Sequence, residues 1–490
     1  MPYVRHEDSQ LHAKPSVALM GAVPPTQASL AYQGNEKWEI FNSDVAANGT
    51  APGDTMAWTI NKSTSCTDIA ESYLEISGYF VIDGAVGINP YALAPGAAPQ
   101  PFAPTCEAVS PVQMLSAAIF DDFEVTINGT VVAPSQGVAQ PYVMLGNIIK
   151  NEPYAVREAG TFTKGYILDD GDYVYGNYTP QNFQYLNGNH NMREFNHGGI
   201  KRALYYFAAP PVTVGTGSSR PFTLTVRLAD LGLRTHGWLP PNIQAHIRVR
   251  RSPNAKLIMG PSEQVDSVTG CDPQYTMTEA KLFVSRKELN HHAQRDLMAA
   301  WERQTLRVPI ERYRNNITWY TTDNTSASVA QVLAGPTPAV VMAMVVRQKA
   351  INGANDGQQP LFNIGPQNNT YWTNATLQCG GVRTFPLQPV QQVGSNGVRA
   401  TRDLSEVYQM YLSCCNRYPF LKSEDFFNIQ PLCFQIAGDK DMWDVAEDTS
   451  ITFQGTLSAA PFGADSWALV LISFTPGVVE FAITGETIVS

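Results

Sequence analysis

Charge is scarce in this 490-residue chain: Asp, Glu, Lys and Arg together make up 16% of it. So sparse a charged surface suits a protein that covers itself with copies or partners, and a hydrophobic content of 44% excludes disorder. Basic charge is in deficit, with a net charge of -10, which argues against a direct grip on phosphate backbones. Arg248, Arg250 and Arg251 form one of the few basic clusters and read as solvated strand residues. Cysteine is limited to Cys66, Cys106, Cys271, Cys379, Cys414, Cys415 and Cys433, odd in number, scattered and never in a CxxC pair. That spacing reads as buried thiols in a reducing compartment, neither a disulfide framework nor a zinc site. Long apolar runs are missing too, so no bilayer-spanning helix is expected. Ser16 to Val23 is too short, and too far from a basic n-region, to read as a signal peptide.

The chemistry-bearing motifs are equally thin. The chain has no G-x-S-x-G, no P-loop and no G-x-G-x-x-G, which removes local support for a nucleophile elbow or a nucleotide cradle. Asp169-Asp-Gly-Asp172 has the acidic density of a calcium loop but not the bidentate Glu at the twelfth position, so it reads as a solvated turn. His190 and His197 have no third ligand at suitable spacing. His291 and His292 are adjacent at the start of a helical stretch, where neighbours do not face each other. Asp121-Asp122 and Glu424-Asp425 read as exposed loop acids. No catalytic, cofactor-binding or metal-ligating residue is assigned, and no cofactor is expected.

What the chain does contain is period-2 patterning. Phe222, Leu224, Val226 and Leu228 alternate with Thr223, Thr225 and Arg227, so one face is buried and the other wet. Ile243, Ala245, Ile247 and Val249 repeat the pattern, as do Ile451, Phe453 and Leu457. Asn128-Gly129 between FEVTI and TVV supplies the positive φ angles of a tight hairpin. N-x-S/T sequons such as Asn374-Ala-Thr376 read as strand and turn vocabulary. Glycine and proline, 37 and 34 residues, punctuate many short strands, which points to sandwiches or jelly rolls. A length of 490 residues suits two such cores of roughly 200–250 residues each.

Helical signals are local. His292 to Arg303 carries good helix formers with Leu297 and Trp301 one turn apart, and reads as a connector between two β-modules. Asp403-Leu-Ser-Glu406 resembles a capping box before Val407, Met410, Tyr411 and Cys414 at helical spacing. The Ala/Pro/Gly-rich segment 85–111 reads as an extended surface loop, and residues 1–31 as an arm that is flexible until it folds onto a neighbour or the inner shell.

A series of segments runs in a fixed order along the chain: Thr59-Ile-Asn-Lys-Ser63, Tyr73-Leu-Glu-Ile-Ser77, Pro111 to Ser116 and Ile119 to Gly129 in the first half, then Tyr275 to Val284 and Leu306 to Ile310. Val340 to Val346, Ile351-Asn-Gly353, Pro360 to Asn363, Pro431 to Asp439, Trp467 to Phe474 and Val478 to Ile483 continue the series. Taken in this order they resemble the double jelly-roll major capsid proteins of the lineage that includes polintons, adintoviruses, virophages, nucleocytoplasmic large DNA viruses and adenovirus hexon, and most of all its smaller members. Tyr275 to Val284 resembles the closing strand of the first roll, and Leu306 to Ile310 the opening strand of the second. Leu361 stands where the family usually has Pro, Gln435-Ile436 replace its Asp-Leu pair, and the 85–111 loop has no counterpart.

The resemblance implies an all-β chain of two tandem eight-stranded antiparallel jelly rolls with a few short helices. Its expected divisions are an arm at 1–31, a first roll at 32–289, a helical connector at 290–303 and a second roll at 304–490. It implies a structural, non-enzymatic subunit of an icosahedral dsDNA virus shell, located in the virion. Expected partners are two further copies in a pseudo-hexagonal homotrimer, neighbouring capsomers, a penton protein and minor capsid or cement proteins, without sequence-specific nucleic-acid binding. The other readings are a transient assembly scaffold of the same fold and a secreted glycan-binding or deglycosylating jelly-roll protein.

Overall fold

A computed structural model describes residues 32–44, 51–83, 110–168, 197–206, 217–218, 221–259, 272–330, 335–352, 362, 364–365, 370, 372–379, 382–387, 405–415, 419–423, 425, 429–436, 448–462 and 465–489. The first half contains β1 (Tyr32–Asn42), β2 (Thr55–Ile60), β3 (Cys66–Asp83), the two-residue β4 (Ser110–Pro111), β5 (Phe120–Ile127), β6 (Thr130–Ala133), helix α1 (Gln140–Asn151) and helix α2 (His197–Tyr206). After these come β7 (Gly217–Ser218), β8 (Phe222–Arg227), the single turn α3 (Leu228–Leu231), β9 (Arg234–Thr235), β10 (Ala245–Arg251), β11 (Ile258–Met259) and β12 (Asp272–Leu289).

Helix α4 (His291–Trp301) leads into β13 (Leu306–Tyr320), β14 (Ser326–Val329), β15 (Gly335–Pro336), β16 (Val340–Arg347), β17 (Trp372–Cys379) and β18 (Val382–Leu387). Helix α5 (Ser405–Cys414), β19 (Leu432–Gln435), β20 (Asp448–Thr449), β21 (Ile451–Leu457), β22 (Trp467–Phe481) and β23 (Thr487–Val489) follow, and shorter helical turns lie between the strands.

The sheets repeat one topology. In the first half, β1-β12-β3-β8 form one antiparallel sheet and β2-β10-β5-β6 the other. In the second, β13-β22-β16-β19 and β14-β21-β17-β18 do the same. If the principal strands of each half are counted along the chain, both halves give first-eighth-third-sixth against second-seventh-fourth-fifth, the order of a jelly roll. Each roll buries its core where the inner faces of its sheets meet. Leu74, Ile76, Leu224 and Leu282 line one sheet of the first roll, with Trp58, Val125 and Ile247 on the other, all fully buried. In the second roll the ring of Phe434 on β19 meets that of Phe453 on β21, with centroids 6.2 Å apart.

Local chemistry explains the punctuation. Asn128 and Gly129 hold φ at 47° and 87°, the pair of positive angles that turns β5 into β6. Asn290 caps α4 by accepting a bond from the Ala293 amide at 2.8 Å. On the inner side of that helix Leu297 and Trp301 are buried, and the Trp301 indole donates to the Phe481 carbonyl at 3.0 Å. Pro476 lies inside β22, a poor place for a residue without an amide donor. It is tolerated because β16 pairs with β22 only as far as Phe474, and β23 only from Val479.

Several expectations are corrected. The terminal strand is longer than Trp467–Phe474: β22 continues through Val478 to Phe481, and Ala482 and Ile483 lie beyond it. Leu228 is buried as its spacing required, but it begins α3 and does not extend β8. Ser110 and Pro111 are not loop; they pair with Met259 and Ile258. Arg251 is not solvated: past a register shift at Arg250 its guanidinium turns inward, donates to the Tyr275 carbonyl and lies 5.4 Å from that ring. Asp121 is not an exposed loop acid either. It belongs to β5 and is buried against Arg250, Oδ1 to Nε 2.7 Å. Helix α5 begins at Ser405, and its expected cap at Asp403 lies outside the described residues. The 1–31 arm and 85–109 also lie outside them.

Candidate functional site

Among the described residues no group of three or more His, Cys, Asp and Glu side chains converges as a metal site. Asp169, Asp170, Asp172, His190 and Glu424 lie outside the described residues, and so does the side chain of His197. His291 and His292 sit edge to face at 6.0 Å on the exposed first turn of α4. Asp425, expected to be exposed, is buried and pairs with Arg157 at 2.5 Å. Burial keeps three of the described thiols protonated. Burial pushes those of Cys66 and Cys415 up to about 12. Cys433 is raised well above the ordinary value by burial and by its neighbour Cys414, which its hydrogen bond in turn lowers.

Polar chemistry concentrates instead where the two rolls meet, and α1 is its centre. This helix is apolar nearly all round, with Tyr142, Val143, Met144, Leu145, Ile148 and Ile149 buried, as expected of a helix enclosed on every side. The strand-dominated sequence reading passes over it. Its usable signals were Pro141 in the first turn, Pro153 just past the end and apolar residues three and four apart. Gly146 lets the helix approach the second roll: a Cβ there would meet Phe474 at 3.2 Å and Met344 at 3.3 Å. Gln140 and Asn147 hold it to the first roll by donating to the carbonyls of Leu231 and Ala229. From the second roll, Tyr411 on α5 donates to the Ile149 carbonyl at 2.8 Å.

A charge network runs across the same junction. Lys150 Nζ lies 2.7 Å from Glu311 Oε2 and 5.0 Å from the centre of the Phe474 ring. On the first-roll side Arg227 pairs with Asp230 at 2.7 Å and with Glu152, Arg234 reaches Glu152 at 3.6 Å, and Lys164 reaches Asp230 at 3.5 Å. Burial opposes a charge on Glu311, but Lys150 and Arg234 outweigh it and hold its carboxyl down at about 2. Asp230 also stays below the ordinary carboxylate value against its burial, held there by Arg227 and Lys164.

Backbone pairing reinforces the joint. β9 of the first half adds to β13 of the second, Thr235 opposite Ile310 and Arg234 opposite Glu311. The β5–β6 hairpin grips the C-terminal strand through Thr130 Oγ1 to the Thr487 carbonyl at 2.9 Å. Tyr166 and Phe420 meet edge to face across the boundary at 5.5 Å. The arrangement fixes the rolls as one block and holds no reacting constellation among the described residues.

No protein-family model matches this sequence, and no curated protein matches it. Solved structures do. The chain is similar to one in the Sputnik virophage, determined by cryo-EM at 3.5 Å, with a TM-score of 0.59 and 11% identity over 94% of this chain and 89% of that one. It is also similar to the major capsid protein of mavirus, with a TM-score of 0.53 and 10% identity over 92% of this chain and 90% of that one. At such identities the likeness is one of fold, and it spans both rolls and their junction: this chain is a double jelly roll.

Proposed function

We propose that this chain is a structural major capsid protein of an icosahedral dsDNA virus or virophage, without catalytic activity. The observation that carries the reading is the duplicated topology in one rigidly joined chain, matched over nearly its whole length by a chain of the Sputnik virophage and by the mavirus major capsid protein. Two like rolls side by side form an elongated block. Three blocks around a three-fold axis give six similar corners, a tile for a curved hexagonal lattice.

Under this reading the chain divides into an arm at 1–31, a first roll at 32–289, a connector at 290–303 and a second roll at 304–490. Its location is the virion shell. Its partners are two further copies, neighbouring capsomers, a penton protein for the five-fold vertices that a six-cornered tile cannot fill, and minor capsid or cement proteins. A net charge of -10 supports assembly without sequence-specific nucleic-acid contacts. Negative-stain microscopy of the purified full chain tests the reading. Triangular to hexagonal particles are expected, and a protein that stays monomeric at tens of micromolar contradicts it.

A further inference from the structure

A cluster of three thiols lies beside the junction. Cys414 ends α5, Cys415 follows it, and Cys433 lies on β19. Phe434 packs into the sandwich against Phe453, so its neighbour Cys433 points to the opposite, outer face of the sheet, where it stands opposite Met342 of β16. α1 covers Met342 and Met344 on that face, and α5 covers Cys433. Cys414 and Cys433 are both buried and share a hydrogen bond, so a helix and a strand bring two sulfurs together from well-separated parts of the chain.

The elements that carry these sulfurs are ones a covalent bond can hold. β19 is an end strand of its sheet among the described residues and has β16 as its pairing strand. α5 is tied to the junction: the Tyr411 hydroxyl that donates to the Ile149 carbonyl also accepts from the amides of Phe420 and Leu421, at 2.9 and 3.1 Å. The sulfur of Cys415 lies 3.8 Å from the same Ile149 carbonyl. The two buried sulfurs are also unequal. The hydrogen bond from Cys433 holds the Cys414 thiol below its ordinary value against burial, and the Lys150 ammonium acts in the same sense. Cys414 is thus the attacking sulfur and Cys433 the one that resolves. Its place at the end of a helix lets a local opening admit a small reagent.

We propose that Cys414 and Cys433 are a redox modification site, at which a small-molecule disulfide of the glutathione type converts the two thiols to a disulfide that staples α5 to β19. The Cys414 thiolate attacks one sulfur of the reagent, forming a mixed disulfide, and the other half leaves as a thiolate. Cys433 then gives its proton to a departing thiolate as its sulfur displaces the second half from Cys414. Two protein thiols are oxidised and one small disulfide is reduced to two thiols. Under the capsid reading the pair stays reduced in the cell that builds the shell and closes after release. That timing rests on the capsid reading, and the cross-link itself does not.

The test is peptide mapping by mass spectrometry, without reductant, of full-length wild type, Cys415→Ser and Cys433→Ala. Each is first fully reduced, freed of reductant and held with excess oxidised glutathione. A Cys414–Cys433 cross-link is expected in wild type and Cys415→Ser and not in Cys433→Ala. Oxidation is expected to raise the melting temperature of the first two by about 3 °C or more and to leave the third unchanged. Free thiols at 414 and 433 after oxidation, a cross-link through Cys415 or between chains, or a cross-link with no rise in melting temperature overturns the assignment and leaves the capsid reading standing. A cross-linked chain that stays monomeric supports the site and overturns the capsid reading. Should a variant not fold, the wild-type map decides, with fragment ions that separate position 414 from 415.

Discussion

The third principal strands of the two rolls make an instructive pair. In the first roll, β3 alternates between buried and partly exposed residues over its Tyr73–Phe80 stretch, with Leu74, Ile76 and Phe80 inside. In the second, all eight residues of β16, Val340–Arg347, are buried. The topology is the same, so the difference comes from what lies on the outer face: α1 over β16, and nothing in the described chain over the Tyr73 end of β3. A strand's burial pattern thus reports its neighbours as much as its own sheet.

The largest expected effect separates core from junction. Leu224→Asp places an unpaired charge in the first sandwich and should abolish soluble folding; normal yield and a normal circular dichroism melt would refute the placement of β8. Phe453→Asp should do the same in the second roll, since its ring is fully buried against Phe434 and Trp372.

A smaller loss is expected at the joint. Glu311→Gln leaves Lys150 without its carboxylate partner and should cost about 3–5 kcal/mol in denaturant unfolding. Lys150→Met/Glu311→Leu should recover most of that, because a buried pair replaced as a unit loses little. The pH dependence has a definite sign. The Glu311 carboxyl, at about 2 when folded, lies below its ordinary value of 4.5, so its stabilisation is complete above that value and disappears as pH falls through about 2. Unfolding free energies measured from pH 5 down to 2 should therefore fall less steeply in Glu311→Gln than in wild type. Equal slopes would contradict the role given to the pair.

Smaller still is the effect of crowding α1. Gly146→Leu has to displace Phe474 and Met344 and should cost about 1–3 kcal/mol, loosening the contact between the rolls while leaving each sandwich intact. Hydrogen exchange would show this as faster exchange confined to α1 and the outer row of β16. The mildest change is Trp301→Phe, which deletes the bond to the Phe481 carbonyl and trims one edge of a buried ring, and should cost about 1–2 kcal/mol.

Much of the fold was legible because one-sided burial writes itself into sequence. Phe222, Leu224 and Val226 marked the strand, Asn128-Gly129 the hairpin, and His292 to Arg303 the helix between the halves, which spans His291–Trp301. Two-sided burial was harder. Val340 to Val346 could be read as a buried strand, but an unbroken apolar run does not name what lies above it, and α1 offered only the narrow polar stripe of Gln140, Asn147 and Asn151 to mark its period. The charge network was invisible for another reason. Lys150 and Glu311 lie 161 residues apart and meet only when the two rolls dock, and Glu152 reaches Arg227 and Arg234 only through the fold of the first roll. Arg251 and Asp121 were misjudged because single charged residues are usually solvated, and their burial depends on Tyr275 and Arg250, which sequence spacing does not bring near.

Under the proposed function, two unequal rolls in one chain make one third of a six-cornered tile. The most direct measurement is class averaging of negatively stained, purified full-length protein, with the mass of the same sample determined in solution. Particles of three chains with a six-lobed outline are expected. Monomers at every concentration, or closed particles of any other chain number, would contradict it.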